Sequence, residues 1–373
     1  MMSIRETTIL KGVAILFMLY LHLFNQMANV NLCTTYLSIR GVPFVHLFSR
    51  CTGPVAFYLI LSGYGLYISS KSGRKQNSLK RILKLYVHYW ITLILFIPLG
   101  CRVIGSQVYP GSFSKFLENV TGWNTSYNGE IWFLFPYVLL TISSPFLFHI
   151  LNKMRLLSVF IVTGTLYLLA YVLIHLFGQS YLYSHQLAYM PVLYMSLLFP
   201  FMLGAMLVKY DIINKCKLWR CKSLFILLLL MVVRMYLETG VFHVLYSVAF
   251  IVLFVQIKRP VWLDTFLYEM GCRSTSMWFV HTYFCYYLFK DFIYGFKYPL
   301  LIFSVLLVVS YLFALVIDRI YQPLQQLITQ KMEIILHKIN ICSGFLNMGL
   351  IRKESAGYLN LIIDHKCLIF NGK

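Results

Sequence analysis

The chain has 373 residues, 60% hydrophobic and only 12% charged, with a mean hydropathy of +0.74. Soluble domains carry about 25% charged residues, so a water-soluble globular protein is excluded. The formal net charge of +20 does not read as a nucleic-acid surface, because the cations sit between apolar runs and not on one basic face. Nine cysteines without a CxxC pair or other zinc-ligand spacing argue against a metal site and against a disulfide framework.

A helix needs about 20 apolar residues to cross a bilayer. Ten candidate spans follow along the chain: about 9–28, 53–70, 82–100, 131–151, 157–177, 190–208, 223–237, 241–257, 274–294 and 299–318. The first is long enough to span and is followed by no small-residue cleavage site, so it reads as a span and not as a signal peptide. It contains "LKGVAILFMLYLHLF", with Lys11 and His22 in an otherwise oily run. Eleven residues at 100° each return to within about 20° of the same helix face, about 16 Å further along the axis. A snorkelling lysine and a histidine bonded to a neighbouring helix are the plain structural alternative, although ionisable groups at depth point to function.

The second span holds "FYLILSGYGLY", in which Ser62, Gly63 and Gly65 let another helix or a thin ligand arm approach the backbone. The third opens on "SLKRILKLYVHYW". Arg81 and Lys84 are three apart and share a face, with His88 deeper on that face. Such a cluster suits a phosphate-rich ligand, since Arg offers forked bonds and Lys a point charge; an ordinary cytoplasmic anchor is the alternative. The fourth span opens on "NGEIWFLFPY", with Glu130 in the first turn and Trp132 at the interface. The seventh is the weakest, because its apolar run ends at Arg234, which would have to snorkel. The ninth, beginning "STSMWFVHTYF", buries His281 about two turns in.

Charge fixes the expected orientation. With both termini inside, the inner segments hold 18 Lys and Arg before the tail and the outer segments 6, as the positive-inside rule requires. Residues 321–340 place Leu324, Leu327, Ile328, Met332, Leu336 and Ile339 at helical spacing, which predicts an amphipathic helix on the inner surface. The expected organisation is therefore an all-α, polytopic membrane bundle of about ten helices over 1–320, with a basic cytoplasmic tail over 321–373.

In their order and depth these pieces resemble acyltransferase family 3, bacterial membrane O-acyltransferases with a ten-helix core. The family's first helix carries a basic residue, usually Arg, then ten residues, then His; Lys11 and His22 match that spacing with Lys in place of Arg. "RILKLYVHYW" resembles its paired-Arg motif, with Arg81 retained and Lys84 second. "FYLILSGYG", "EIWFL" and "WFVH" resemble three further family segments, and the resemblance covers roughly residues 5–318. Both Lys replacements keep the charge and lose the fork.

The resemblance implies transfer of an acyl group, commonly acetyl, from cytoplasmic acyl-CoA to a hydroxyl of an extracytoplasmic glycan or lipid-linked sugar at a bacterial inner membrane. It implies no tightly bound cofactor and no metal. Within it, Lys11, Arg81 and Lys84 would hold the CoA phosphates, and Ser62 and Gly63 would border the pantetheine arm. His22 would act as base or acyl carrier, Glu130 would orient it or bind sugar hydroxyls, and Trp132 and His281 would contact the acceptor. Two other readings stay open on the residues alone: a glycan flippase, polymerase or other transporter, and an inactive relative serving in assembly. A transporter would be expected to show internal repeats or broken helix pairs, and the sequence displays neither.

Overall fold

The structure is a computed structural model that describes residues 1–72, 78–216 and 220–331. It is helical apart from one two-residue hairpin, Ser38–Ile39 paired with Val42–Pro43. We label the helices used below α1 (Ile4–Phe24), α2 (Phe44–Ser49), α3 (Pro54–Lys71), α4 (Ser78–Val103), α5 (Phe113–Thr121), α6 (Leu134–Lys153) and α7 (Leu156–Phe177). They continue with α8 (Gln179–Ser184), α9 (Gln186–Lys209), α10 (Arg220–Tyr236), α11 (His243–Phe254), α12 (Val261–Cys272), α13 (Ser274–Thr282) and α14 (Pro299–Lys331).

Local sequence sets the starts. Ser3 caps α1 in a reciprocal box: its Oγ accepts from the Glu6 amide at 3.1 Å while the Glu6 carboxylate accepts from the Ser3 amide at 2.8 Å. Pro54 opens α3, where a missing N–H costs nothing.

Among the described residues, seven helical segments have the length and hydropathy to cross a membrane: Ile4–Phe24, Phe44–Lys71, Ser78–Val103, Gly129–Lys153, Leu156–Phe177, Gln186–Lys209 and Pro299–Lys331. The most apolar window of α9 is 78% buried and that of α7 only 22%, so α9 lies inside the bundle. α7 instead turns Leu157, Ile161, Leu168 and Leu176 outward, toward what would be lipid.

Ten spans are expected from hydropathy, and this count is not reproduced by length. The segment 223–237 lies in α10, described from Arg220 to Tyr236, and 241–257 is the 12-residue α11. The segment 274–294 is broken: α13 passes into a π-helical turn, Tyr283–Tyr287, and then a short helix, Lys290–Tyr294. Such π turns commonly mark functional sites. Arg234 does not snorkel either. The residue is 5% exposed, and its guanidinium donates to the Leu237 carbonyl and to His243.

One helix falls where only an inner connection is expected. α12 starts after Pro260, carries Asp264 in its first turn, and packs along α1. The contact is backbone to backbone: a Cβ on Gly12 would meet the Leu267 carbonyl at 1.9 Å, and one on Gly271 would meet the Thr8 carbonyl at 1.9 Å. The same reciprocal fit joins α3 to α9, where Gly63 faces the Phe201 carbonyl and Gly204 the Ile60 carbonyl.

Two compact units divide the chain, Met1–Tyr321 and Gln322–Lys373. The described part of the second is helical as far as Lys331. The remainder of the expected amphipathic helix and of the tail lies outside the described residues.

Candidate active site

α1, α13 and the start of the fourth span bring three ionisable side chains together. His22 lies in the last turn of α1, His281 in α13, and Glu130 in a single 3-10 turn, Gly129–Ile131, just before α6. His22 Nδ1 is 2.6 Å from His281 Nε2, and His22 Nε2 is 3.3 Å from the Glu130 carboxylate. The two ring planes are only 16° apart and their centres 4.9 Å apart, the in-line, edge-to-edge arrangement of an in-plane N–H···N bond. Tyr286, in the π turn, donates its hydroxyl to the His22 carbonyl and packs its ring edge on the imidazole.

The acceptors around His281 fix the protons. Its Nδ1 faces the Met277 and Trp278 carbonyls, at 3.1 and 2.9 Å. A carbonyl only accepts, so Nδ1 carries the hydrogen and Nε2 of the neutral ring presents a lone pair. His22 must then donate Nδ1–H to it, which leaves the His22 Nε2 lone pair directed at the side of Glu130. Two acceptors in that position either share one proton or leave a gap that a hydroxyl donor fills.

Glu130 also lines a cleft of about 470 Å³ whose walls include Trp132, Tyr171, Gln179, Tyr183 and Tyr189. α8, between the fifth and sixth spans, supplies Gln179 and Tyr183. Burial first, and the Glu130 charge second, push the Tyr183 hydroxyl above its ordinary value, so it enters any bond there as a neutral phenol. Aromatic faces beside hydroxyl, amide and carboxylate groups suit a ligand with apolar ring faces and polar edges.

A second cluster lies further down α1. Arg81 donates to the Tyr137 hydroxyl from Nη2 at 2.8 Å and from Nε at 3.2 Å, and Ser62 lies 3.4 Å from the same oxygen. Lys11 is within electrostatic range of both Arg81 and Tyr137 and keeps exposed surface although protein surrounds it. Lys84 is half-buried one turn deeper on α4. Tyr137 follows Glu130 by seven residues, or about 10 Å at helical rise. The two clusters are therefore joined twice, along α1 by Lys11 and His22 and along the fourth span by Tyr137 and Glu130.

A family model described as an acyltransferase domain, that of acyltransferase family 3, matches residues 5–319. The chain belongs to acyltransferase family 3. It is a membrane-embedded acyltransferase, and membership decides against the flippase, polymerase and transporter readings. No curated protein and no solved structure matches the chain.

Within this family member, the structure brings together most of the residues singled out in the sequence. His22, Glu130 and His281 form one cluster; Lys11, Arg81 and Ser62 form the other, and Trp132 stands in the cleft wall. Two placements differ from expectation. Gly63 is turned to the α9 backbone and serves helix packing, not a passage. His281 is fully buried behind His22, where it touches the imidazole and not an acceptor's surface. Tyr137 and Tyr286 join these clusters without being marked by the sequence. The only signal for Tyr137 is its heptad distance from Glu130, and Tyr286 sits in a π turn that hydropathy does not reveal.

Proposed function

We propose that the protein moves an acyl group from acyl-CoA, held at the Lys11 and Arg81 end, to a hydroxyl of a glycan or lipid-linked sugar seated in the Glu130 cleft. With the termini cytoplasmic, the donor end faces the cytoplasm and the cleft the outside of a bacterial inner membrane. The observation that carries the reading is the chain His281–His22–Glu130, with His22 Nδ1 2.6 Å from His281 Nε2 and His22 Nε2 3.3 Å from the carboxylate.

The acceptor hydroxyl donates to His22 Nε2 and its oxygen attacks the thioester carbon. Nε2 takes the proton as the new C–O bond forms. The tetrahedral intermediate then expels the CoA sulfur, breaking the C–S bond, and the imidazolium returns its proton to that thiolate. Ester and free CoA thiol are the products. Glu130 stabilises the imidazolium while it exists, and His281 holds the tautomer; a positioned base of this kind contributes typically 10²–10⁴ in rate.

Lys11, Arg81 and Lys84 act earlier, binding donor phosphates by charge. The Tyr137 hydroxyl holds the Arg81 guanidinium by two of its N–H groups. The aromatic walls of the cleft, Trp132 among them, stack on the sugar.

Mass spectrometry of surface glycans from cells with and without the gene tests the reading. Loss of one acyl mass per repeat, with chain length kept, is the expected result. Unchanged acylation would reject a glycan acceptor.

A further inference from the structure

A second cavity opens at the same end of the bundle as His22. It measures about 570 Å³ and is walled by the end of α1, by α2, and by the facing ends of α10 and α11. Asn25, Arg50, Arg234, Glu238 and His243 line it. None of them enters the acyl-transfer steps above.

Arg234 stands in the cavity wall. It is 5% exposed, and its guanidinium has two neutral partners: Nη1 donates to the Leu237 carbonyl and Nη2 to His243 Nδ1 at 2.9 Å. Its Nε–H is buried with no partner. Among the described residues no carboxylate lies within ion-pair distance of it. A buried cation without a counter-charge is costly, and such groups are ordinarily paired. Arg50 adds a second guanidinium to the wall, donating to the Met235 carbonyl at 3.3 Å and to Glu238 at 3.4 Å. Glu238 is 81% exposed at the rim, so water screens most of its charge.

The cavity and the cleft share no wall residue, but α7 and Tyr286 link them. Tyr171 of α7 lines the cleft and lies within electrostatic range of Arg234. Tyr167, one turn away, donates to the Val241 carbonyl at 3.0 Å, in the connection between α10 and α11 that also holds Leu237. On the other flank Asn25 lies 3.4 Å from the Tyr286 hydroxyl, which also bonds the His22 carbonyl.

We propose that this cavity is an anion subsite for the acceptor: Arg234 and Arg50 take a carboxylate or phosphate group carried by the glycan whose hydroxyl lies at His22. The proposal rests on the acyl-transfer reading for its acceptor, and it makes that acceptor an acidic saccharide. A guanidinium meets either oxyanion through paired N–H bonds.

The test uses the purified full-length protein in detergent, at fixed ionic strength. Thermal unfolding is titrated with methyl glucuronide, with glucose 6-phosphate and with neutral methyl glucoside. At least one acid is expected to stabilise the protein where the glucoside does not, and the two acid arms say whether carboxylate or phosphate is preferred. Arg234→Gln should weaken the acid's apparent affinity roughly tenfold to a hundredfold, the worth of one charge-assisted pair. Arg50→Gln should weaken it less, and Arg81→Gln should leave it unchanged.

The proposal is overturned by equal responses to acid and neutral sugar, by no response to either acid, or by a response that survives in both Arg234→Gln and Arg50→Gln. It is overturned also if the response is lost in Arg81→Gln alone, since the acids would then sit in the donor mouth. Should Arg234→Gln not fold, Arg50→Gln decides. Acyl-CoA binding is measured on the same samples; its absence in the wild type would remove the acyl-CoA reading while leaving the anion subsite standing.

Discussion

Replacing His281 by Leu removes the acceptor that holds His22 in its Nδ1–H form. Two changes follow. The His22 Nδ1–H, buried between helices, loses the partner it has at 2.6 Å. The imidazole then gains by moving its hydrogen to Nε2, where it donates to Glu130, now 3.3 Å away. A hydrogen bond to a charged group is worth about 1.5–3 kcal/mol, so the tautomer with a free Nε2 lone pair falls roughly tenfold to a hundredfold. We expect kcat to drop by that factor with KM for acyl-CoA unchanged, measured as release of CoA thiol in membranes that contain the native acceptor. His281→Gln places an amide oxygen near the position of Nε2 and should recover a substantial part of the rate. Full activity in His281→Leu would refute the reasoning, and so would a glutamine variant as inactive as the leucine one.

Other outcomes follow from the same geometry. Arg81→Ala should weaken acyl-CoA binding more than Arg81→Lys, by about tenfold to a hundredfold for each lost charge-assisted bond, and Tyr137→Phe should weaken it by a smaller factor; equilibrium binding of acyl-CoA to purified protein measures both. Gly63→Ala puts a methyl 1.9 Å from the Phe201 carbonyl, whereas a methyl at Gly65 meets nothing within 4 Å. The first should destabilise by about 1–3 kcal/mol and the second be neutral or stabilise by a few tenths to about 1 kcal/mol, as read from thermal unfolding in detergent. A single cysteine at Ser72 should be shielded from an impermeant reagent added outside cells and one at Ser112 labelled; labelling of position 72 would reverse the orientation read from the Lys and Arg distribution.

What was legible in the sequence was whatever one helix or one loop records by itself. Lys11 and His22 share a face because of their spacing, and the structure puts each in a polar cluster at its own end of α1. Long apolar runs give long helices, and α1, α3, α4, α6, α7, α9 and α14 follow the hydropathy. What was not legible depends on which helices touch. His22 and His281 are 259 residues apart, and nothing local says that one imidazole backs the other. The ninth span reads as continuous, but its helix passes into a π turn that carries Tyr286 to the His22 carbonyl. α12 is interrupted by Asp264 and Glu269 and so falls short of a span; its signal is instead Gly271, which fits the α1 backbone beside Gly12. Arg234 reads as a span end pulled toward water, and only the fold shows its charge turned inward, on His243.

The central claim is that the His22 Nε2 lone pair takes the acceptor's proton. Single-turnover transfer by His22→Gln in native membranes, with acyl-CoA binding measured on the same preparation, tests it most directly. Glutamine keeps hydrogen bonding but accepts no proton near neutral pH, so the account predicts a folded protein that binds acyl-CoA and is slower by about 10²–10⁴. Transfer at close to the wild-type rate would contradict it and leave His22 as a structural link between α1 and α13.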